Sequence, residues 1–289
     1  MNLDNATILK LAEHLENAEL QAQDVTKITN DYPDMDWDDA YAIQDEIRRR
    51  KIARGNKIAG LKCGLTSFAK MKQMGVEVPV FGFIADYMAR PDGGEIKHAE
   101  LIHPKVEAEI CIVTKAPLKG PGCHVAAVMA ATDFVVPAVE VIDSRYRDFK
   151  FDLKSVIADN TSSSRFVIGG KMRKLDELDL RTLGVVLEVN GEIKSMAAGA
   201  AVLGNPLAAV AMLANHLGAR GQEIPAGTFI MTGGVTEAIT VNPGDNVNVR
   251  FQDLGTVSMR FGAARRPDQA RLHGADYPIK ILSVSPRRR

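Results

Sequence analysis

Glu107 and Glu109 stand two apart in a run, Lys105 to Val113, whose even positions Val106, Ala108, Ile110 and Ile112 are all apolar. That alternation has the period of a strand, so both carboxylates project from one face, about 6.5 Å apart along the backbone. Two acids so placed can reach one cation. Glu140 is a third, set in Val-Pro-Ala-Val-Glu-Val-Ile, where an ionised carboxylate needs a partner or a metal to offset its desolvation. Three oxygen ligands without a cysteine or histidine cluster suit Mg²⁺ or Mn²⁺ better than zinc. For Glu107 and Glu109 alone, a solvated strand face is the competing reading, and Glu140 weakens it.

Lys62 lies in Ile58-Ala-Gly-Leu-Lys-Cys-Gly-Leu65, an apolar, glycine-flanked setting where a buried ammonium requires a carboxylate or an anionic ligand. Snorkelling to the surface is the alternative. Asp159-Asn-Thr-Ser-Ser-Ser164 separates two apolar runs and reads as a loop at a site opening, or as an ordinary surface turn. His103 and His124 are too distant in sequence to read as a ligand pair. Cys63, Cys111 and Cys123 are odd in number and lack CxxC spacing, which argues for reduced thiols rather than a disulfide or thiolate zinc framework. GxGxxG, GxxxxGK[ST] and GxSxG are all absent, against nucleotide cofactors and a serine-hydrolase elbow.

The elements that would position these side chains fall into two regions. Ile8, Leu11, Ala12 and Leu15 recur at helical spacing behind Asp4 and Asn5, which can cap a first turn. Asp36 and Asp39 have capping-box spacing ahead of Ala40, Ile43 and Ile47, with Gly55 as a stop. Ser67, Phe68, Met71, Met74 and Gly75 suggest a third short helix. Residues 1–79 are therefore expected to be a helical region. Beyond Pro79 the period becomes two, with strands expected at 105–113, 134–142, 184–189, 228–231, 246–251 and 256–261. Asn190-Gly191 signals a type I′ hairpin, and Asn205-Pro206 opens a helix running to Gly218. Strands outnumber helices and do not alternate with them, so 80–264 is expected to be one mixed α+β unit. Residues 265–289, ending in three arginines, are expected to form a loosely ordered basic tail.

The 289 residues are 46% hydrophobic and 25% charged, with 36 basic and 36 acidic side chains. Such a chain can bury a core and has no global field for nucleic acid or an anionic membrane. No basic and apolar leader opens the chain, and the apolar stretch Ala197 to Leu217 is broken by Gly199, Gly204, Asn205 and Pro206. A cytoplasmic protein is expected.

Five segments together resemble one family. They are Gly60-Leu-Lys-Cys-Gly-Leu-Thr-Ser67, His103-Pro-Lys-Val-Glu-Ala-Glu-Ile110, Val139-Glu-Val-Ile-Asp-Ser-Arg145 with Phe149-Lys-Phe-Asp152, Ala158-Asp-Asn-Thr-Ser-Ser163 and Ile230-Met-Thr-Gly233. In order and spacing, to about Phe261, they are similar to the 2-keto-4-pentenoate hydratase and 4-oxalocrotonate decarboxylase family of the fumarylacetoacetate hydrolase superfamily. The resemblance implies a mixed β-sheet roll with a helical N-terminal region. It also implies a metal, Mg²⁺ or Mn²⁺, held by Glu107, Glu109 and Glu140, with Lys62 as a substrate-contacting or proton-transferring residue. The loop from Asp159 to Ser162 would line the pocket, with Val80 and Arg145 beside it.

Lys115 to His124 and Asp143 to Asp152 resemble the decarboxylase branch most. Hydratases carry an acid in a Pro-Asp-Phe-Gly run where this chain has Pro79-Val80-Phe81-Gly82. The implied reaction is loss of CO₂ from 2-oxo-3-hexenedioate in the meta-cleavage breakdown of aromatic compounds, and the metal would act as a Lewis acid. The alternatives are hydration of 2-hydroxypenta-2,4-dienoate, an acylpyruvate-type hydrolysis, and a silent subunit that stabilises a homologous enzyme. The partners expected are the small 2-oxo dicarboxylate and further copies of the chain, with a complex with the pathway hydratase left open.

Overall fold

The computed structural model describes residues 1–68, 71–72 and 76–262. Two helices open the chain, α1 (Asn5–Gln21) and α2 (Trp37–Ala53). Asp4 caps α1 by accepting from the Thr7 amide, and α2 starts with a reciprocal box between Asp36 and Asp39, satisfying amides that have no partner within the helix. Ile8, Leu11, Leu15, Ile43 and Ile47 are buried where the two helices pack. Phe68, Met71 and Lys72 are helical as expected, while Met74 and Gly75 lie outside the described residues, as does the expected tail.

The rest of the described chain builds two mixed sheets. The larger contains β1 (Ile58–Gly64), β2 (Val80–Ala85), β3 (Ala89–Arg90), β5 (Lys105–Thr114), β6 (Thr132–Ile142), β7 (Ser163–Ile168), β10 (Phe229–Gly234) and β11 (Ile239–Thr240). Their order is β2-β1-β10-β5-β6-β7-β3, with β11 paired to β5; β1/β10 and β3/β7 run parallel. The smaller sheet runs β4 (Glu95–Ile96), β13 (Gly255–Phe261), β12 (Asn246–Phe251), β8 (Gly184–Val189) and β9 (Glu192–Ala198). Val106, Ala108, Ile110 and Ile112 pack with Val185, Leu187, Val247, Val249 and Val257 in one core between them. The β8–β9 hairpin turns through Asn190 and Gly191, both at positive φ, as a type I′ turn requires.

Among the described residues, further helices include α3 (Val125–Ala131), α4 (Leu153–Ala158) and α5 (Pro206–Ala219). Asn205 caps α5 from its side chain to the Leu207 amide, with Pro206 in the first turn. The stretch from Gly199 to Ala219 is apolar enough by composition for a membrane span. Its α-helical part is 14 residues, however, and Leu207, Val210, Leu213 and Ala214 are spent on the core.

One expectation is corrected. The span 1–79 is not helical throughout, because β1 lies inside it and β1 is flanked by β2 and β10 in the large sheet. Ile58-Ala-Gly-Leu-Lys-Cys-Gly carries no apolar–polar alternation to read, since glycines interrupt the run. A division at residue 79 also separates Lys62 from the acids it meets.

The outer strand β2 is buried along its whole length. Tyr41 Oη accepts from the Phe81 amide at 3.3 Å, Gln44 Nε2 donates to the Phe81 carbonyl at 2.9 Å, and Asn160 bonds both the amide and the carbonyl of Phe83. Side chains thus occupy hydrogen-bonding positions that a further strand would take.

Candidate active site

β5 and β6 are antiparallel neighbours in a register that sets Glu107 opposite Glu140 and Glu109 opposite Ala138. All three glutamates are buried, and one carboxylate oxygen from each lies within 4.8 Å of the others. The solvated-face reading of Glu107 and Glu109 is thereby excluded. Lys62 on β1 is 2% exposed and does not snorkel. Its Nζ donates to Glu140 Oε1 at 2.6 Å and to the Thr161 carbonyl at 3.0 Å.

The electrostatics of the cluster favour a cation. Burial first, then the Glu140 and Glu107 carboxylates, pushes the Glu109 carboxyl well above its ordinary range, against the pull of Lys62 and the Gly233 amide. Burial likewise raises Glu140, with Lys62 opposing. Glu109 Oε2 accepts from Gly233 N at 2.7 Å, whereas its Oε1 is buried with no hydrogen-bond partner among the described residues. Three carboxylate oxygens converging in a buried site, one of them unpaired, fit a hard divalent ion with oxygen ligands. A Cβ at Gly234 would come within 2.8 Å of the Glu107 carboxylate, so a glycine is needed where β10 crosses the cluster.

A cavity of about 440 Å³ opens onto this cluster. Lys62, Glu107, Glu140, Val80, Thr161 and Ser162 are among the residues that line it. The loop carrying the last two is strained: Asn160, Thr161 and Ser162 have φ of 47°, 51° and 58°. Non-glycine residues held there cost on the order of 1–3 kcal/mol each, and they persist only where the surroundings over-determine them. Gly82 permits the approach, since a Cβ there would sit 2.6 Å from Thr161 Oγ1. Lys62 and the Asn160 bonds to β2 supply part of the restraint; Arg145 supplies more.

The expectation that Arg145 and Asp159 meet the substrate is not matched by the cavity lining, which includes neither. They are 3% and 1% exposed. Arg145 Nε is paired with an Asp159 carboxylate oxygen, and its other nitrogens donate to the carbonyls of Asp143, Asp159 and Ser163. The guanidinium therefore grips the chain on both sides of the strained turn. Burial raises the Asp159 carboxyl to about 6 even against Arg145.

Residues not anticipated also line the cavity: Leu65, Thr66, Lys105, Ile142, Phe149 and Phe151. Lys105 carried a readable signal, because it shares the strand face of Glu107. Phe149 and Phe151 arrive from a loop, with ring centroids 5.7 Å apart, and tertiary folding alone brings them to the mouth. His103 bonds the Tyr146 carbonyl at 2.9 Å and His124 caps α3, so both histidines have structural partners. Cys63 and Cys111 are buried and all three thiols are free.

The fumarylacetoacetate (FAA) hydrolase C-terminal family model matches residues 71–261. The chain belongs to the fumarylacetoacetate hydrolase family. It is 66% identical to a 4-oxalocrotonate decarboxylase of Pseudomonas putida, over 90% of this chain and 98% of that one. To the 2-oxo-hept-4-ene-1,7-dioate hydratase of Escherichia coli the identity is 36%, over 89% and 99% of the two chains. Among solved structures, the 4-oxalocrotonate decarboxylase of Pseudomonas putida G7 complexed with magnesium and adipate superposes with a TM-score of 0.89 at 65% identity, covering 90% of this chain and 99% of that one.

Proposed function

We propose that this protein is a carboxy-lyase that converts 4-oxalocrotonate (2-oxo-3-hexenedioate) to 2-hydroxypenta-2,4-dienoate and CO₂ with Mg²⁺ or Mn²⁺, in the cytoplasm. The observation that carries the reading is the contrast between 66% identity to a decarboxylase and 36% to a hydratase of the same family. Val80 in the cavity wall points the same way.

Glu107, Glu109 and Glu140 would hold the ion. A bound divalent cation supplies Lewis acidity to the 1-carboxylate and 2-oxo group, drawing off electrons released at the breaking C–C bond. Lys62 sets an ammonium beside the same oxygens, where it stabilises negative charge as it develops and can hand over a proton. Ser162 and Thr161, whose hydroxyl oxygens are buried without partners among the described residues, offer hydrogen bonds to substrate. Val80, Val156 and Phe151 give the cavity an apolar side that disfavours an unpaired carboxylate relative to CO₂. Substrate is thus handled by residues from both sides of residue 79, within one catalytic body. Self-association and docking of the hydratase that uses the product belong to the same proposal.

The test is incubation of purified protein with Mg²⁺ and 2-oxo-3-hexenedioate. CO₂ release that chelator abolishes is expected; hydration of 2-hydroxypenta-2,4-dienoate without CO₂ release would replace this reading with the hydratase one.

A further inference from the structure

We infer that Lys105 binds the distal, C-6 carboxylate of the substrate and so selects dicarboxylates over monocarboxylates; this rests on the decarboxylase reading and adds a specificity residue to it. Lys105 is on β5 two residues before Glu107, on the same face, and stands opposite Ile142 as Glu107 stands opposite Glu140. It is therefore one pleat step from the acidic cluster, about 6.6 Å along the strand. A substrate held at C-1 and C-2 by the cluster places C-6 four bonds further on, a span of the same order. Among the described residues, the two lysines that line the cavity are not equivalent. Lys62 is engaged by Glu140 and the Thr161 carbonyl, whereas Lys105 Nζ lies 4.2 Å from the centroid of the Phe149 ring. A ring face holds an ammonium by only about 0.5–1 kcal/mol at partly exposed sites, so an arriving carboxylate displaces little. Phe149 and its neighbour Asp148 have φ of 58° and 56°, and this left-handed turn is what carries the ring over Lys105.

The pairing has a kinetic signature. The C-6 carboxylate loses its charge as it becomes CO₂, so its bond to Lys105 is strong in the ground state and weak in the transition state. Removing an interaction made mainly in the ground state raises KM and kcat together, leaving kcat/KM little changed. The same logic favours turnover, because the product has one carboxylate and leaves Lys105 unpaired.

The test is calorimetric titration of the full-length, Mg²⁺-loaded protein with adipate, a six-carbon dicarboxylate, and hexanoate, its monocarboxylate counterpart. The unaltered protein should prefer adipate by roughly 10-fold or more, the scale of a charge-assisted hydrogen bond. Lys105→Met should erase that preference by weakening adipate alone, with Mg²⁺ affinity unchanged, and should raise KM and kcat together. Lys105→Arg should keep the preference, and Lys105→Gln serves in place of Met if the latter does not fold. Preference for adipate persisting in the Met or Gln variant, or no preference in the unaltered protein, overturns the assignment. Neither titration requires turnover, so absence of CO₂ release from the unaltered protein would strike the decarboxylase reading separately.

Discussion

Glu140 faces Glu107 directly across the antiparallel β5/β6 pair. Like charges in that position repel, and burial with Glu109 leaves little water to screen them. Glu109→Gln should therefore raise the Tm of the protein in chelator and remove the further rise that Mg²⁺ gives the unaltered protein. Divalent-ion affinity should fall by at least roughly the 10–100-fold typical of losing a supporting partner. Thermal melts with and without Mg²⁺ decide it, and an unchanged metal response in all three Glu→Gln variants would remove the acids from the ligand set.

Lys62 Nζ lies 2.6 Å from Glu140 Oε1. Lys62→Met keeps the apolar stem and should lower kcat by at least about 10²-fold, the lower range for an acid–base or electrostatic group. Steady-state turnover at saturating Mg²⁺ measures this. Undiminished kcat would leave Lys62 a structural counter-ion.

Arg145→Lys keeps the charge but loses the planar fork that reaches several carbonyls at once. If the guanidinium acts by fixing the turn whose Thr161 carbonyl holds Lys62, kcat should drop about 10–100-fold, or ~1.4–2.7 kcal/mol in barrier. In a Lys62→Met background the same change should cost less than about twofold, since two residues acting through one group are not additive. Additive losses would show that Arg145 serves only the fold.

Val80 is 1% exposed in the cavity wall. Val80→Asp would set a carboxylate beside the departing one and should slow CO₂ release by at least about tenfold, ~1.4 kcal/mol. Slow hydration of 2-hydroxypenta-2,4-dienoate by this variant would identify residue 80 as a branch point between the two chemistries. Efficient hydration by the unaltered protein would deny it that role.

His216 packs against Tyr41 and Phe81, at 4.5 and 5.0 Å between ring centroids. Burial, aided by Arg220, lowers its pKa to about 4. The unfolded chain then takes up the proton first as pH falls, so this contribution to stability is present above about 6.5 and is lost toward 4. His216→Phe should flatten the dependence of Tm on pH in that window. An identical slope would assign the acid sensitivity to the carboxylates.

Local signals were strong where one face or one cap decides the structure. Asp4, the Asp36–Asp39 box, Asn205-Pro206 and Asn190-Gly191 each act through neighbours within a few residues, and the strands through Val106, Asn246 and Gly184 announce themselves by period or by turn. β1 and β2 did not: glycines interrupt the apolar run of β1, and β2 is buried along its whole length, which erases the alternation. In the site, the acids were legible because a charged residue in an apolar strand demands an explanation. Arg145 and Asp159 came only from the polar loop and the family resemblance, and sequence could not tell a charge that meets substrate from one that meets backbone carbonyls. Phe149 and Phe151 depend on a turn with two left-handed residues, for which Asp148 was a faint sign and Phe149 none.

The side chains covering β2 make the helical segment more than an attachment. Tyr41 and Gln44 come from α2, so a chain trimmed past Arg54 would bare the Phe81 amide and carbonyl of an apolar strand whose other neighbour holds Lys62. Such a fragment would offer a ready template for strand addition. Its failure would show first as self-association, before any loss at the acidic cluster itself.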